Sequence, residues 1–126
     1  MKTRPWLLIA FISINFTAAC STTQLPQIVP TDEPPGVGER AEKGYAFSEP
    51  VIAALEAYRL DRGAYPEKLT DLTPEYLASA PTATDELDFS YSSTGDSYSF
   101  SFHYRGPGMN TCTYNPGGEW NCSGAF

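Results

Sequence analysis

Apolar residues recur with two different periods along this chain, first at helical spacing and later in alternation. In residues 51–62, Val51, Leu55 and Tyr58 fall on one face of a helix, and charged residues lie toward the opposite side. In residues 87–91 and 98–104, every second residue is apolar, as in a strand that buries one face. The pattern therefore predicts one helix followed by antiparallel strands.

The ends of the helix are marked by residues with strong positional preferences. Ser48 is placed to cap the N-terminus, so that Pro50 falls in the first turn, where proline is tolerated. Gly63 predicts the C-terminal end of the helix. Residues 39–47 could form a helical prelude, but Gly44 weakens that interpretation. We therefore expect the helix to begin near Ser48.

The first hairpin is predicted from a turn signal and from matching apolar positions. Thr94-Gly95 is the expected turn, and a hairpin centred there places apolar residues opposite each other on one face. The expected pairs are Leu87 with Phe102, Phe89 with Phe100, and Tyr91 with Tyr98. The opposite face is rich in serine and is expected to meet water.

The second hairpin turns at residues 116–118 and brings two cysteines together. Its register opposes Tyr114 to Trp120 and Cys112 to Cys122, and cysteines opposed on antiparallel strands can form a disulfide. A redox-active pair is the alternative, although no CxxC motif at a helix start is present to lower a thiol pKa. The expected fold is α+β, with one N-terminal helix packed on a four-stranded antiparallel meander that ends in a disulfide hairpin.

The N-terminus has the order of a secretory signal peptide. Two basic residues precede an apolar run over residues 6–16, and small residues then lead into Cys20. The apolar run is shorter than the ~20 residues that a membrane-spanning helix needs. Residues 16–20, Phe-Thr-Ala-Ala-Cys, resemble the lipobox of bacterial lipoproteins, with Thr17 where leucine is typical.

The lipoprotein resemblance implies that residues 1–19 are removed and that Cys20 carries a diacylglycerol thioether and an acylated amino group. More than one acyl chain makes membrane anchoring stable. Because Ser21 stands where an aspartate often signals retention in the inner membrane, the resemblance implies the outer membrane, facing the periplasm. The alternative is an ordinary cleaved signal peptide in which Cys20 has no role.

A proline- and glycine-rich stretch separates Cys20 from the domain. Residues 20–43 have almost no apolar periodicity, and we interpret them as a tether that could reach roughly 70 Å when fully extended at ~3.1 Å per residue. The tether would hold a domain of residues 44–126 off the membrane surface.

The charge of the chain limits its partners. The net charge is −7, and removal of the leader with Lys2 and Arg4 leaves about −9, which argues against nucleic acid because the phosphates would repel it. Membrane contact is therefore expected through the acyl chains. Two cysteines and one histidine are few ligands for a metal, and we expect neither a metal nor a cofactor. Three acidic residues form a cluster that is expected to be a solvated loop; they are Asp85, Glu86 and Asp88.

One segment resembles a known family. Residues 53–66, AALEAYRLDRGAYP, resemble the end of the long helix in type II secretion pseudopilins and type IV pilins. In that family the helix ends in a tyrosine, a short charged stretch and a glycine, and Tyr-Pro follows. Gly63 lets the chain reverse, and Tyr65 is expected to lie back across the helix as an apolar cap. The likeness extends over roughly residues 47–126.

The chain departs from that family at its N-terminus. A lipoprotein leader and a tether replace the apolar helix that packs the core of a fibre, so a role as a pilus subunit is not expected. The combination implies a non-enzymatic domain that binds or scaffolds another component of the envelope or of a secretion or pilus apparatus. A structural lipoprotein without a dedicated partner is a further alternative.

Candidate catalytic chemistry centres on the only histidine. His103 alternates onto the serine-rich face beside Ser99 and Ser101, but the sequence has no motif for a positioned acid or an oxyanion site. We therefore predict no catalytic residue. The alternative function is a small envelope enzyme or ligand binder that uses the serine-rich face near His103. Four aromatic residues are candidates for an exposed patch or for the edge of the core; they are Tyr45, Tyr65, Tyr76 and Trp120.

Overall fold

One long helix crosses a four-stranded sheet in this computed structural model, which describes residues 33–106 and 108–124. The elements are helix α1 (Glu39–Arg62), a 3₁₀ turn (Leu69–Leu72) and strands β1 (Leu87–Ser93), β2 (Tyr98–Arg105), β3 (Met109–Tyr114) and β4 (Asn121–Gly124). The strands are antiparallel in the order β1-β2-β3-β4. The predicted α+β meander is therefore confirmed.

The predicted start of the helix at Ser48 is wrong, because α1 begins at Glu39. Ser48 is fully buried in the interior of the helix and donates its hydroxyl hydrogen to the carbonyl oxygen of Gly44 at 2.6 Å. Pro50 also lies inside the helix. Residues 39–43, which the sequence assigned to the tether, are therefore helical, and Ala41 among them is fully buried.

Small residues explain why the helix extends over the sheet in this region. Ala41, Gly44 and Ser48 are three or four positions apart and form the buried stripe of the first turns. A Cβ on Gly44 would lie 2.7 Å from Cζ of Phe102 and closer still to two other ring atoms, so the helix backbone rests directly on that ring. The helical propensity that glycine lacks is thus offset by close packing.

The predicted register of the first hairpin is wrong by two residues. The observed pairs are Leu87 with Tyr104, Phe89 with Phe102, and Tyr91 with Phe100. The turn is wider than Thr94-Gly95, since the N–H of Thr94 donates to the carbonyl oxygen of Ser97 at 3.0 Å. Side chains alternate with a period of two, so a shift of two residues leaves the apolar face unchanged.

The register of the second hairpin is confirmed at its cysteines. Cys112 pairs with Cys122, and the two form a disulfide with their Cα atoms 4.0 Å apart. The pairing of β3 with β4 ends at Thr113 and Asn121, so Tyr114 and Trp120 contact each other beyond that ladder, with ring centroids 5.4 Å apart.

The core lies between α1 and the inner face of the sheet. One group of buried residues surrounds Leu55, Leu72 and Phe100, and a second surrounds Phe102 and Cys112. Of the helix stripe predicted from the sequence, Val51 and Leu55 are buried, and Tyr58 is partly buried against the first group.

Candidate functional site

The chain enters the domain at a tightly packed junction. Gly36 donates its N–H to the hydroxyl of Tyr104 at 2.8 Å, and its carbonyl oxygen accepts the hydroxyl hydrogen of Tyr45 at 3.1 Å. The Tyr45 oxygen also lies 3.2 Å from Sγ of Cys122. A Cβ on Gly36 would come within 2.6 Å of that sulfur, and its φ of +87° favours glycine.

This junction attaches the residues that precede α1 to the disulfide hairpin. The ring of Tyr45 packs against Phe102 and Trp120 at centroid distances of 5.2 and 5.1 Å, which holds the helix against β2 and the segment that leads into β4. The predicted lipidation site, Cys20, and the leader of residues 1–19 lie outside the described residues.

The Tyr-Pro element lies back on the helix as the sequence predicted. Gly63 ends α1 in the left-handed conformation with φ of 82°. Tyr65 is buried, and its ring stacks edge-on against Tyr98 with centroids 4.6 Å apart. Its hydroxyl donates to Glu56 at 3.0 Å and accepts from Arg59 at 3.0 Å.

Burial governs the ionisation of these tyrosines. Desolvation raises the pKa of Tyr65 and Tyr98 above the usual value, and the nearby carboxylate of Glu56 adds to the increase. The N–H of Tyr65 also donates to the carbonyl oxygen of Gly95 at 2.8 Å, which joins the helix exit to the β1–β2 turn. The element therefore has a structural role at this end of the domain.

Hydroxyl groups and the histidine line the open face of the sheet. The two ring nitrogens of His103 are both engaged, with Nε2 3.1 Å from Oγ of Ser90 and Nδ1 2.9 Å from Oγ1 of Thr111. Ser101 and Thr113 form a second pair, with their hydroxyl oxygens 2.8 Å apart. The sequence correctly placed His103 on the polar face, but it gave no indication of these cross-strand bonds.

A catalytic triad is not assembled around His103. Asp88 is its partner in the β1–β2 register, yet Oδ1 of Asp88 accepts the N–H of Phe89 at 2.8 Å. In a triad, the acid would form a hydrogen bond with Nδ1, but Nδ1 of His103 forms its hydrogen bond with the hydroxyl of Thr111. The geometry therefore orients the ring without activating Ser90 as a nucleophile.

A cleft of about 340 Å³ lies beside the histidine. Its polar lining consists mainly of Asp85, Glu86, Asp88, His103 and Arg105. Glu86 forms an ion pair with Lys43 at 3.4 Å, and the hydrogen bonds of the lysine to Glu39 and to Glu86 raise its pKa. Across the described ranges, no three His, Cys, Asp or Glu side chains converge as metal ligands would.

The four candidate aromatic residues do not form one exposed patch. Tyr45 and Trp120 pack together over the disulfide hairpin, while Tyr76 packs on Tyr58 with centroids 5.3 Å apart. Tyr65 is only 4% exposed. These rings complete the two buried groups of the core.

An apolar hollow beside β1 was missed by the sequence analysis. It measures about 300 Å³ and is lined by side chains from the helix, from β1 and from the loop between them, including Phe47, Val51, Leu77, Pro81 and Phe89. Phe47 is 55% exposed there. Phe47 lies four residues before Val51, so a helix that included both would place them on the same face, and this spacing was the sequence signal for the hollow.

Comparisons with protein-family models, with curated proteins and with solved structures found no significant match. Neither helical segment in the described part of the chain has an apolar stretch of the length that a membrane crossing requires.

Proposed function

We propose that the protein is a bacterial envelope lipoprotein, anchored through acyl chains on Cys20, whose small pilin-like domain binds or scaffolds another envelope or secretion component without catalysing a reaction. The observation that carries this proposal is the leader, in which a basic start, a short apolar run and small residues end at Cys20. The lipid would place the domain in the periplasm at the outer membrane.

Support for the pilin-like label comes from the exit of α1. Gly63 reverses the chain and Tyr65 returns to the helix, where it packs between Glu56, Arg59 and Tyr98. The residues that carry the resemblance are therefore the ones that join the helix to the sheet. The partner is proposed on the basis of this resemblance.

The junction at Gly36 marks the end of the domain at which the tether would be attached. The tether joins the domain where Tyr104 and the N-terminal part of α1 meet, whereas Tyr65 and the Gly95 turn lie at the C-terminal end of that helix. In an anchored protein, the tether would set how far the domain lies from the membrane, and the Gly95 turn would lie at the end of α1 remote from the attachment point. A scaffold held in this way would meet a periplasmic partner with its sheet edges and distal turns.

The test of the anchor is to replace Cys20 with alanine in the full chain. We expect Cys20→Ala to move the protein from the membrane to the soluble fraction, because the acyl chains supply the membrane affinity. The matched control is Ser21→Ala, which keeps the cysteine and should remain with the membrane. Unchanged membrane fractionation of Cys20→Ala would refute the lipid assignment.

A ligand-binding or enzymatic role for the open face is the second candidate. The observation that favours it is the fixed orientation of His103 between Ser90 and Thr111, beside the cleft. His103→Ala would abolish such a role, whereas Ser123→Ala, on the same exposed face, would not. If a strain carrying His103→Ala keeps every phenotype that deletion of the gene removes, the second candidate is eliminated.

A further inference from the structure

The disulfide fixes which backbone groups of the sheet point outward. Cys112 and Cys122 are opposed at 4.0 Å between Cα atoms, the short spacing of an antiparallel pair that exchanges no backbone hydrogen bonds. In an antiparallel sheet, the N–H and C=O of one residue point to the same neighbouring strand, and this side alternates from residue to residue. The backbone groups of Cys112 therefore point away from β4 and exchange hydrogen bonds with Phe102 of β2. By the same alternation, the N–H and C=O groups of Phe89 and Tyr91 point away from β2, to the outer edge of β1.

Local contacts agree with this assignment and give hydrogen-bond partners to the outward backbone groups at the start of β1. The N–H of Leu87 donates to Oγ1 of Thr84 at 3.0 Å, and its carbonyl oxygen accepts the N–H of Thr84 at 2.7 Å. The N–H of Phe89 donates to Oδ1 of Asp88 at 2.8 Å. The start of β1 is therefore closed to further strand pairing.

The second half of the same edge is open. Among the described residues, no hydrogen bond reaches the N–H or C=O of Tyr91, the C=O of Phe89 or the N–H of Ser93. Natural proteins usually protect such an edge with lysine, proline or a bulge, and residues 89–93 contain no charged residue and no proline. The unpaired groups alternate correctly for an added strand.

The apolar hollow lies beside this open segment. Phe89 belongs both to β1 and to the lining of the hollow, and Phe47 extends the lining from the helix. Side chains of an added strand would point alternately to the open face and to the helix side. One apolar side chain of that strand could therefore enter the hollow.

The charges around the edge restrict what can bind there. Asp85, Glu86 and Asp88 lie at one end of β1, and Asp96 lies in the turn at the other end. The mature chain as a whole carries about −9. A second copy of this chain would bring the same acidic groups together, whereas a neutral or basic segment would be attracted.

We propose that the edge of β1 at Tyr91 binds an extended segment of a partner protein by β-strand addition, the segment being basic or neutral and having one apolar side chain that fills the hollow beside Phe47. This inference rests on the proposed function, since it names the surface and the kind of segment that the scaffold would bind.

The test uses the full-length lipoprotein in cells, with a photo-crosslinking amino acid at Ser92 or, separately, at Ser123. Both are exposed positions on opposite edge strands of the sheet. We expect crosslinks from position 92 to one segment of a different protein. They should disappear in Tyr91→Pro but persist in Tyr91→Ala, because both variants lack the ring and only proline lacks the outward N–H.

A second measurement does not depend on the stability of the proline variant. Hydrogen exchange of the unmodified full-length protein should be fast at the amides of Tyr91 and Ser93 and slow at Ser92, whose N–H points to β2. A synthetic peptide with the sequence of the crosslinked segment should slow exchange at Tyr91 and Ser93 by at least about tenfold. Unchanged exchange at both amides would overturn the proposal.

The other outcomes separate this inference from the proposed function. Crosslinks from position 123 but not from position 92 would overturn edge binding and leave a partner in place. Crosslinks from position 92 to a second copy of the chain would overturn the assignment to a different protein. No crosslink from either position would count against the partner itself, and with it the proposed function.

Discussion

Gly44 is the position at which a single methyl group should be most costly in this domain. It lies within α1, and its Cα faces the ring of Phe102, which is itself fully buried. An added Cβ would lie 2.7 Å from Cζ of that ring and closer still to its neighbouring atoms. Since carbon atoms pack at about 3.5–4.0 Å, either the helix or the ring must move.

Two opposing terms set the size of the effect of Gly44→Ala. Overpacking of a buried site costs about 1–3 kcal/mol, and alanine regains about 1 kcal/mol of helical propensity over glycine. We therefore expect the free energy of unfolding to fall by about 1 kcal/mol, and by up to about 2 kcal/mol if the ring cannot shift. In a domain of this size, 1 kcal/mol corresponds to roughly 4–8 °C in Tm.

The propensity term can be measured in the same helix. Ala53 is exposed on α1, so Ala53→Gly changes propensity without changing the packing. Urea unfolding of both variants, followed by circular dichroism, would give the two free energies. Phe102→Leu should destabilise the Gly44→Ala variant less than it destabilises the wild type, because the smaller side chain makes room for the methyl group.

The reasoning fails if alanine at position 44 stabilises the domain. A gain in Gly44→Ala equal to the loss in Ala53→Gly would mean that propensity alone acts at this position. The helix would then not rest on Phe102 as described, and the packing account of the first turns would be wrong.

Two further predictions concern the disulfide and the buried tyrosines. The double variant Cys112→Ser with Cys122→Ser should have a free energy of unfolding about 3 kcal/mol lower than the wild type, because the disulfide no longer restricts the unfolded chain. In urea titrations, reductant should lower the stability of the wild type but not that of the double variant. Stability should also fall above about pH 10: burial raises the pKa of Tyr98, so the folded protein keeps a proton that the unfolded chain releases. Tm measured from pH 8 to 11.5 should fall less in Tyr98→Phe, and an equal fall in both proteins would exclude Tyr98 as a cause.

The prediction from sequence succeeded where a side-chain pattern repeats over a short distance. Alternation placed β1 and β2 and assigned their apolar faces, and the opposed cysteines fixed the register of the second hairpin. The register of the first hairpin was wrong because it depends on the width of the turn at residues 94–97. Both registers bury the same side chains, so the pattern could not distinguish them.

The start of the helix shows a limit of a different kind. Gly44 and Pro50 are both unfavourable for a helix in isolation, which favoured a start at Ser48. In the fold, Gly44 is the point of closest approach to the sheet, and Ser48 is buried against the helix backbone. Tertiary packing therefore reversed the local preference at both positions.

The same distinction applies to the candidate sites, some of which could be predicted from the sequence while others required the tertiary structure. The sequence alone indicated the leader with its cysteine, the pair Cys112 and Cys122, and the Tyr65-Pro66 element, because each depends on residue types at fixed spacing. Only the tertiary structure decided that His103 is held by Ser90 and Thr111, and that the edge of β1 is open at Tyr91. These features depend on which strands are neighbours and on which backbone groups remain unpaired, and neither is encoded in the local order of residues.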